Sequence, residues 1–163
     1  MPASGSGVRG RRSAGLVLYR HRAGALEVLL VHPGGPVWAR RDAGAWSIPK
    51  GEYADDEEPL AAARREFAEE LGSPAPAVPD DELIDLGEIR QKSGKLVRAW
   101  AIPGDLDVSE IHSNTFEMQW PPRSGRMQEF PEVDRAQWFD LDGAREKINP
   151  AQAELLDRIV PGL

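Results

Sequence analysis

The chain contains no cysteine and only three histidines in 163 residues. Without cysteine it can form neither disulfide bonds nor thiolate zinc sites. His21, His32 and His112 do not have the spacing of metal ligands, which favours surface or hydrogen-bonding roles for them. No apolar run approaches the length needed to span a membrane. These absences exclude disulfide scaffolds, zinc modules of the usual kind and helical membrane proteins.

Positive charge is also scarce, since 20 Lys and Arg stand against 27 Asp and Glu, for a net charge of −7. Stable binding to nucleic acid relies on Lys and Arg patches that neutralise phosphates. We therefore expect no stable nucleic-acid partner and no membrane partner. A nucleotide-type small molecule held through a metal ion is compatible with this charge. The 40% apolar content and five tryptophans are enough for one globular domain.

The first 12 residues are rich in Gly, Ser and Arg and lack the apolar stretch of a signal peptide. This composition predicts a flexible tail over residues 1–12, a single domain over residues 13–163 and a cytoplasmic location. The sequence leaves the oligomeric state open, a homodimer included.

The most informative segment runs from Gly51 to Gly72. Pro59 suits the first turn of a helix and Gly72 is a natural left-handed terminator, so a helix is predicted from about Pro59 to Leu71. The residues at spacing i, i+3, i+7 and i+11 form one apolar stripe for the core: Leu60, Ala63, Phe67 and Leu71.

Three carboxylates, those of Glu66, Glu69 and Glu70, converge beside this stripe because residues three and four apart are neighbours on a helix. Such a cluster repels itself unless a cation lies within it. Oxygen ligands without thiols favour Mg²⁺ or Mn²⁺, which indicates phosphate chemistry. On periodicity alone, a solvated acidic helix face is the more usual explanation.

The spacing favours the metal site. Gly51, five residues, Glu57, seven residues and then Arg65-Glu66-Phe67-Ala68-Glu69-Glu70-Leu71-Gly72 resembles the Nudix box, Gly-x5-Glu-x7-Arg-Glu-U-x-Glu-Glu-x-Gly-U, where U is a bulky apolar residue. Only the last position departs, since Ser73 stands where an apolar packing residue is usual. The resemblance implies a Nudix hydrolase, which uses a divalent metal to cleave a phosphoanhydride bond in a nucleoside diphosphate linked to another group.

The resemblance also implies roles for the residues of this segment. Glu57 and Arg65 would pair and hold the loop against the helix, with an outer-shell metal role open for Glu57, and Gly72 would end the helix. One of the helix glutamates, with Glu66 and Glu69 the candidates, or a water that they hold, would act as the general base. The implied metal ligands are Gly51 through its carbonyl, Glu66, Glu69 and Glu70.

Many relatives add an acidic residue just before the closing strand, sometimes as the general base. Glu129 and Glu132 both lie in this region, and Glu132 is preferred as a catalytic residue because it precedes Trp138 by six residues, as in several relatives. A solvated loop glutamate is the alternative.

Trp46-Ser47-Ile48-Pro49-Lys50-Gly51 resembles the Trp-x-x-Pro-Lys-Gly approach of diadenosine polyphosphate hydrolases in the superfamily. Lys50 is thus predicted to meet a substrate phosphate as a point charge, with Arg41 and Lys95 as further substrate-binding candidates. Each is also typical of a solvated surface charge. Dinucleoside polyphosphates are slightly favoured as substrates, and ADP-ribose and nucleoside triphosphates remain open.

The region from Ile111 to Phe139 is similar to a bacterial Nudix group described as predicted nucleoside triphosphate pyrophosphohydrolases. Aromatic residues in or near predicted loops are candidates for stacking on a nucleobase, although packing roles are the usual ones. They are Trp38, Tyr53, Trp120 and Phe130.

The order of elements predicts an α/β fold, with a mixed sheet between helical layers. This agrees with the α/β/α sandwich that the resemblance implies. Strands are predicted over residues 14–19, 26–31, 83–89, 96–102, 115–120 and 136–140, and further helices over 141–147 and from Pro150 to about Val160.

Two other functions share this fold. A Nudix module that binds nucleotide without hydrolysis is the first alternative, although such modules usually lose box carboxylates and none is missing here. An isopentenyl diphosphate isomerase is the second, and the absence of cysteine speaks against it.

Overall fold

A six-stranded mixed sheet forms the centre of the computed structural model, which describes residues 12–163. Its strands are β1 (Arg12–Arg22), β2 (Ala25–Pro33), β3 (Lys50–Glu52), β4 (Ile84–Arg90), β5 (Leu96–Pro103) and β8 (Val133–Asp140). They follow the order β4-β5-β1-β2-β8, and β3 pairs with β1 outside this path. β1 and β5 run parallel and the other pairs are antiparallel.

Helices cover both faces of this sheet. Successive side chains of a strand point to opposite faces, so the apolar residues of β1 contribute to a core on each side. Leu16 and Leu18 of β1 pack in the core under α1 (Pro59–Leu71). Val17 and Tyr19 pack in a second core, beneath α2 (Leu141–Lys147) and α3 (Ala153–Asp157). The predicted α/β/α sandwich with a mixed sheet is confirmed. No helix of residues 12–163 is both long and apolar enough to cross a membrane.

A separate hairpin stands beside the main sheet. It consists of β6 (Thr115–Gln119) and β7 (Met127–Pro131), which pair only with each other within the described part of the chain. The strand over residues 115–120 was predicted within one residue. β7 was not, because Met-Gln-Glu-Phe-Pro has few strand-forming residues and ends in proline.

Two predicted boundaries need correction. β1 already begins at Arg12, whose backbone pairs with Leu96 of β5, so Arg12 belongs to the sheet. The rest of the predicted tail lies outside the described residues. The single last helix is wrong, since a 3₁₀ turn over Pro150–Gln152 precedes the short α3 and another follows over Val160–Gly162. The helix is interrupted where the buried Gln152 carboxamide bonds Ile48 N–H and the Ser47 hydroxyl.

Candidate metal-binding and catalytic site

The two ends of α1 fix the helix that carries the glutamates. At its start, the Glu58 carboxylate accepts hydrogen bonds from the N–H groups of Leu60 and Ala61, at 3.0 and 3.2 Å. At its end, Gly72 adopts a left-handed conformation with φ of 82°, and its N–H donates to the Ala68 carbonyl. A β-carbon on Gly72 would lie 2.4 Å from the His112 carbonyl oxygen, so only glycine fits.

Glu57 and Arg65 form an ion pair with two hydrogen bonds, from Arg65 Nε to Glu57 Oε2 at 2.8 Å and from Nη2 to Oε1 at 3.0 Å. The same guanidinium reaches the helix glutamates, since Nη1 lies 2.7 Å from Glu66 Oε2 and 2.9 Å from Glu69 Oε2. The Arg65 bonds lower the pKa of Glu57. Arg65 therefore ties the loop before α1 to two of the three glutamates.

Glu66 is a buried carboxylate, only 8% exposed, that lies against the backbone of Gly51. A β-carbon on Gly51 would fall 1.8 Å from Glu66 Oε1, so any other residue there would displace the carboxylate. Burial raises the pKa of Glu66, the bond from Arg65 opposes this, and the charge of Glu69 raises it further. β3 brings Gly51 to this place by pairing it with Ala14 of β1.

Glu70 lies beside Lys50. Its Oε1 accepts a hydrogen bond from the Lys50 backbone N–H at 3.3 Å. Burial raises the pKa of Glu70 to about 8, although the Lys50 charge opposes the shift. Burial and the charge of Lys95 in turn lower the pKa of Lys50. A desolvated carboxyl with so little compensation is a natural site for a cation.

Glu132 completes the acidic cluster from a different part of the chain. Burial raises its pKa, and the charge of Glu69 adds to the shift. Glu132 also acts electrostatically on Glu66 and Glu70. No residue between Arg12 and Leu163 gives its carboxylate a hydrogen bond or an ion pair. The structure thus brings Glu132 within the electrostatic range of all three helix glutamates.

Main-chain hydrogen bonds position Glu132. Its N–H donates to the Asn114 carbonyl at 2.8 Å, and its carbonyl accepts from Gly34 N–H at 3.0 Å. The N–H of Asn114 donates to the carbonyl of Glu69 at the end of α1. The main chain of Asn114 thus links Glu132 to α1, and the sequence did not predict this link. No local pattern signals it, because the partners of Asn114 lie 45 residues before it and 18 after it.

No three His, Cys, Asp or Glu side chains between Arg12 and Leu163 are already arranged around a common cation position. In this arrangement the Arg65 guanidinium holds one oxygen each of Glu66 and Glu69. The residues nevertheless fit a hard divalent cation. They offer carboxylate oxygens, and the carboxyl groups of Glu66 and Glu70 are desolvated and have raised pKa values. Glu66 Oε1 also lies close to the backbone of Gly51.

The three cationic candidates for substrate binding lie in two places. Lys50 and Lys95 are neighbours on the carboxylate side, where the Lys95 ammonium lies 3.1 Å from Glu52 Oε2. Arg41 lies elsewhere, with its guanidinium 5.4 Å from the centre of the Trp38 ring. The structure therefore associates two of the candidates with the glutamates and the third with an aromatic side chain.

The four aromatic candidates for base stacking lie in different surroundings. Trp38 is one of the exposed large apolar residues, whereas Tyr53 is half-buried against the core under α1. Phe130 packs on Phe116 within the hairpin, at 6.0 Å between ring centres. Trp120 lies at the end of β6, where its N–H and carbonyl bond with Arg126 and Gln128.

Comparison with known proteins identifies the family. The model of the NUDIX domain matches residues 9–159 of the chain. The chain belongs to the Nudix family. It is a Nudix hydrolase, as the box pattern predicted, and members of this family generally use divalent metals.

Two bacterial relatives support this assignment. An RNA pyrophosphohydrolase of Bartonella henselae is 28% identical over 152 residues, covering 81% of this chain and 77% of the relative. An RNA pyrophosphohydrolase of Agrobacterium fabrum is 27% identical over 164 residues, covering 87% and 89%. Both are similar to this Nudix chain over most of their length.

Solved structures show the same fold. A C. elegans Ap4A hydrolase in a binary complex superposes with a TM-score of 0.61 at 22% identity, covering 93% of this chain and 96% of that one. The NUDIX domain of Shewanella oneidensis NrtR, complexed with ADP ribose, gives 0.59 at 16% identity, covering 91% and 85%. At these identities the likeness shows the Nudix fold alone. The roles of the individual site residues stay predictions.

Proposed function

We propose that this Nudix hydrolase depends on Mg²⁺ or Mn²⁺ and cleaves a phosphoanhydride bond in a nucleoside diphosphate linked to another group. The observation that carries the proposal is the convergence of Glu132 with the three glutamates of α1. Burial raises the pKa of Glu66, Glu70 and Glu132, and the carboxylates repel one another. A structure that concentrates negative charge in this way is suited to a cation.

The ion would be held by Glu66, Glu69 and Glu70, with the Gly51 carbonyl as a further ligand. A bound divalent cation supplies charge that neutralises phosphate oxygens and makes a water more acidic. Binding requires Arg65 to share or release its bonds to Glu66 and Glu69, whereas its two bonds to Glu57 can persist and keep the loop on the helix.

Glu132 is the preferred general base. Its carboxylate is free of hydrogen bonds and ion pairs within residues 12–163, while Arg65 occupies an oxygen of both Glu66 and Glu69. Its raised pKa makes it a stronger proton acceptor than an exposed glutamate. Glu66 and Glu69 remain the alternative bases. The ammonium groups of Lys50 and Lys95, which are close to each other, would neutralise phosphate oxygens beside the cluster.

A dinucleoside polyphosphate is the preferred substrate. The segment from Trp46 to Gly51 favours it, because it resembles the approach of diadenosine polyphosphate hydrolases. The names of the two bacterial relatives favour a second candidate, the 5′-polyphosphate end of an RNA. The net charge of −7 disfavours extended contacts along an RNA backbone, so only a few terminal nucleotides would be held. ADP-ribose and nucleoside triphosphates complete the range to be tested.

The test is a substrate panel with Mg²⁺ or Mn²⁺, with products identified by mass. The panel comprises Ap4A, ADP-ribose, ATP and a short RNA with a 5′-triphosphate. We expect turnover of at least one compound, lost on addition of EDTA and in Glu69→Gln and Glu70→Gln without loss of fold. Glu129→Gln serves as the matched control, because Glu129 is an exposed glutamate on the hairpin.

Metal binding provides a second readout. Titration with Mn²⁺, followed by electron paramagnetic resonance, should show a site that Glu69→Gln and Glu70→Gln weaken and Glu129→Gln preserves. Equal Mn²⁺ affinity in all variants would overturn the assignment of the ligands. Calorimetric binding of every panel compound with no product from any would overturn hydrolysis and support a nucleotide-binding module instead.

A further inference from the structure

A cleft opens next to Glu132, between the loop over residues 33–38 and strand β6. We call it the Trp38 cleft. Its volume is about 380 Å³, and its walls include Val37, Trp38, Phe116 and Met118, with Glu132 among the lining residues. No role in the proposed cleavage uses its apolar side chains. A volume of several hundred Å³ with mostly apolar walls is typical of a small-molecule site.

One wall of the cleft is the apolar face of the hairpin. Along β6, Phe116 and Met118 are half-buried, whereas Thr115, Glu117 and Gln119 between and around them are exposed. The hairpin packs closely on the opposite loop, because a β-carbon on Gly35 would lie 2.9 Å from the Phe116 ring. This alternation gives the separate two-stranded sheet a face directed toward the cleft.

The other wall is an exposed tryptophan that the fold nevertheless holds in place. Trp38 is 36% exposed. The guanidinium of Arg41 lies 5.4 Å from the centre of its ring, and Arg41 is not part of the cleft lining. The Arg41 carbonyl accepts a 2.7 Å hydrogen bond from Nε2 of the buried His32. His32 also bonds to Asp134 of β8 through Nδ1, at 2.8 Å.

The cleft is continuous with the candidate catalytic cluster through Glu132. That residue lines the cleft, its charge acts on Glu66 and Glu70, and its carbonyl accepts the N–H of Gly34 in the cleft loop. A molecule with its phosphates among the glutamates would therefore extend its next group into the Trp38 cleft. For a nucleotide, that group carries a flat ring that stacks on aromatic and apolar surfaces.

We propose that the Trp38 cleft holds the nucleobase of the substrate by stacking on Trp38, with Phe116 and Met118 as the opposite wall. The inference rests on the proposed function for the phosphate position and adds the means of base binding. It also specifies selectivity. Among residues 12–163, Glu132 is the only ionisable side chain in the lining and no amide side chain lines the cleft, so discrimination between bases should be weak.

The test uses AMP, which has no phosphoanhydride bond and stays intact, and ribose 5-phosphate, which lacks the base. Binding of both is measured by calorimetry in Mg²⁺. We expect Trp38→Ala to weaken AMP binding by roughly 10-fold or more and to leave ribose 5-phosphate unchanged. Met118→Ala should have a smaller effect in the same direction. Met127→Ala is the matched control, since Met127 is 59% exposed on the same hairpin and outside the cleft.

Selectivity is tested with AMP, GMP, CMP and UMP on the same protein. We expect dissociation constants within roughly 10-fold of one another, with the larger purines bound more tightly. A discrimination of 100-fold or more between bases would overturn the stacking mechanism. Wild-type AMP affinity in a folded Trp38→Ala, or an equal loss for ribose 5-phosphate, would overturn the cleft as the base site.

These outcomes separate the inference from the proposed function. Base-dependent AMP binding that requires Trp38, together with no hydrolysis of any panel compound, would keep the cleft and reject the hydrolase activity. Hydrolysis with equal kcat/KM in wild type and Trp38→Ala would keep the hydrolase activity and reject the cleft as the base site. A change in sedimentation of Trp38→Ala with unaltered AMP binding would assign the exposed apolar residues to contact between copies of the chain and reject the base site.

Discussion

Asn114 and Glu132 are joined by a 2.8 Å hydrogen bond, from the N–H of Glu132 to the carbonyl of Asn114. The N–H of Asn114 bonds in turn to the carbonyl of Glu69. Main-chain bonds therefore run from the last turn of α1 to the loop that carries Glu132. The hydroxyl of the neighbouring Ser113, which is buried, lies between the same two segments, 3.2 Å from Val133 N and 3.1 Å from Val133 O. We call these main-chain bonds and the Ser113 hydroxyl the Ser113–Asn114 bridge. This bridge holds the Glu132 carboxylate beside the helix glutamates.

Ser113→Ala should weaken this bridge. The change leaves the N–H of Val133 buried without a partner, which costs about 1–3 kcal/mol of unfolding free energy. Urea unfolding measures this loss, and the kcat of the preferred substrate should fall while its KM changes little. Ser93→Ala is the control, because Ser93 is exposed in the turn between β4 and β5 and its loss should cost less than about 0.5 kcal/mol. Equal stability of the two variants would contradict the bridge.

Gly72→Ala should destabilise the protein more than the same substitution at an ordinary left-handed glycine. Gly72 and Gly24 both have φ of 82°, so alanine strains the backbone equally at each, by about 1–2 kcal/mol. Only at Gly72 does the added methyl group meet backbone, 2.4 Å from the His112 oxygen, whereas nothing lies within 4 Å at Gly24. Thermal and urea unfolding of both variants isolates the contact. If Gly72→Ala loses no more unfolding free energy than Gly24→Ala, residues 111–114 move to accommodate the methyl group at little cost.

Much of the fold could be predicted because its signals are local. Pro59, the apolar stripe and Gly72 lie within one segment, and the helix has the predicted bounds. The convergence of Glu66, Glu69 and Glu70 follows from helical spacing alone. Glu132 could be placed near them only through family resemblance.

What could not be predicted depends on distant contacts. β3 is only three residues long and contains glycine, so its pairing with β1 leaves no periodic pattern. The Trp38 cleft needs the loop after β2 and a hairpin about 80 residues later to meet. Asn114 acts through its main chain, to which the identity of its side chain offers no clue.

Arg65→Lys should destabilise the protein although it keeps the charge. Lysine cannot reproduce the two parallel bonds to Glu57 or reach both Glu66 and Glu69 at once. The side chain is partly exposed, so we expect a loss of about 1 kcal/mol. Arg64→Lys is the control on the same helix, since Arg64 makes one bond, to the exposed Asp80. Urea unfolding should show a larger loss of unfolding free energy for Arg65→Lys than for Arg64→Lys. An equal loss in both variants would contradict a specific role for the Arg65 guanidinium.

The pH dependence of stability should report the buried carboxyl of Glu70 in the metal-free protein. Burial raises its pKa from 4.5 to about 8, so the folded state keeps this proton over a pH range in which the unfolded state has lost it. The contribution to stability is therefore complete below about pH 4.5 and is lost as the pH rises to about 8. Glu66 and Glu132 act in the same direction, because their pKa values are also raised.

Glu70→Gln removes the Glu70 part of this dependence and should flatten the decline, because glutamine does not titrate. Urea unfolding in EDTA at pH 5, 6.5 and 8 measures the slope, and Glu88→Gln, at an exposed position of β4, should keep the wild-type slope. The other ionisable groups are common to all three proteins, so the difference between the slopes of wild type and Glu70→Gln isolates Glu70. Parallel curves for wild type and Glu70→Gln would mean that Glu70 is ionised in the folded protein throughout, and that its surroundings already compensate its charge without a cation.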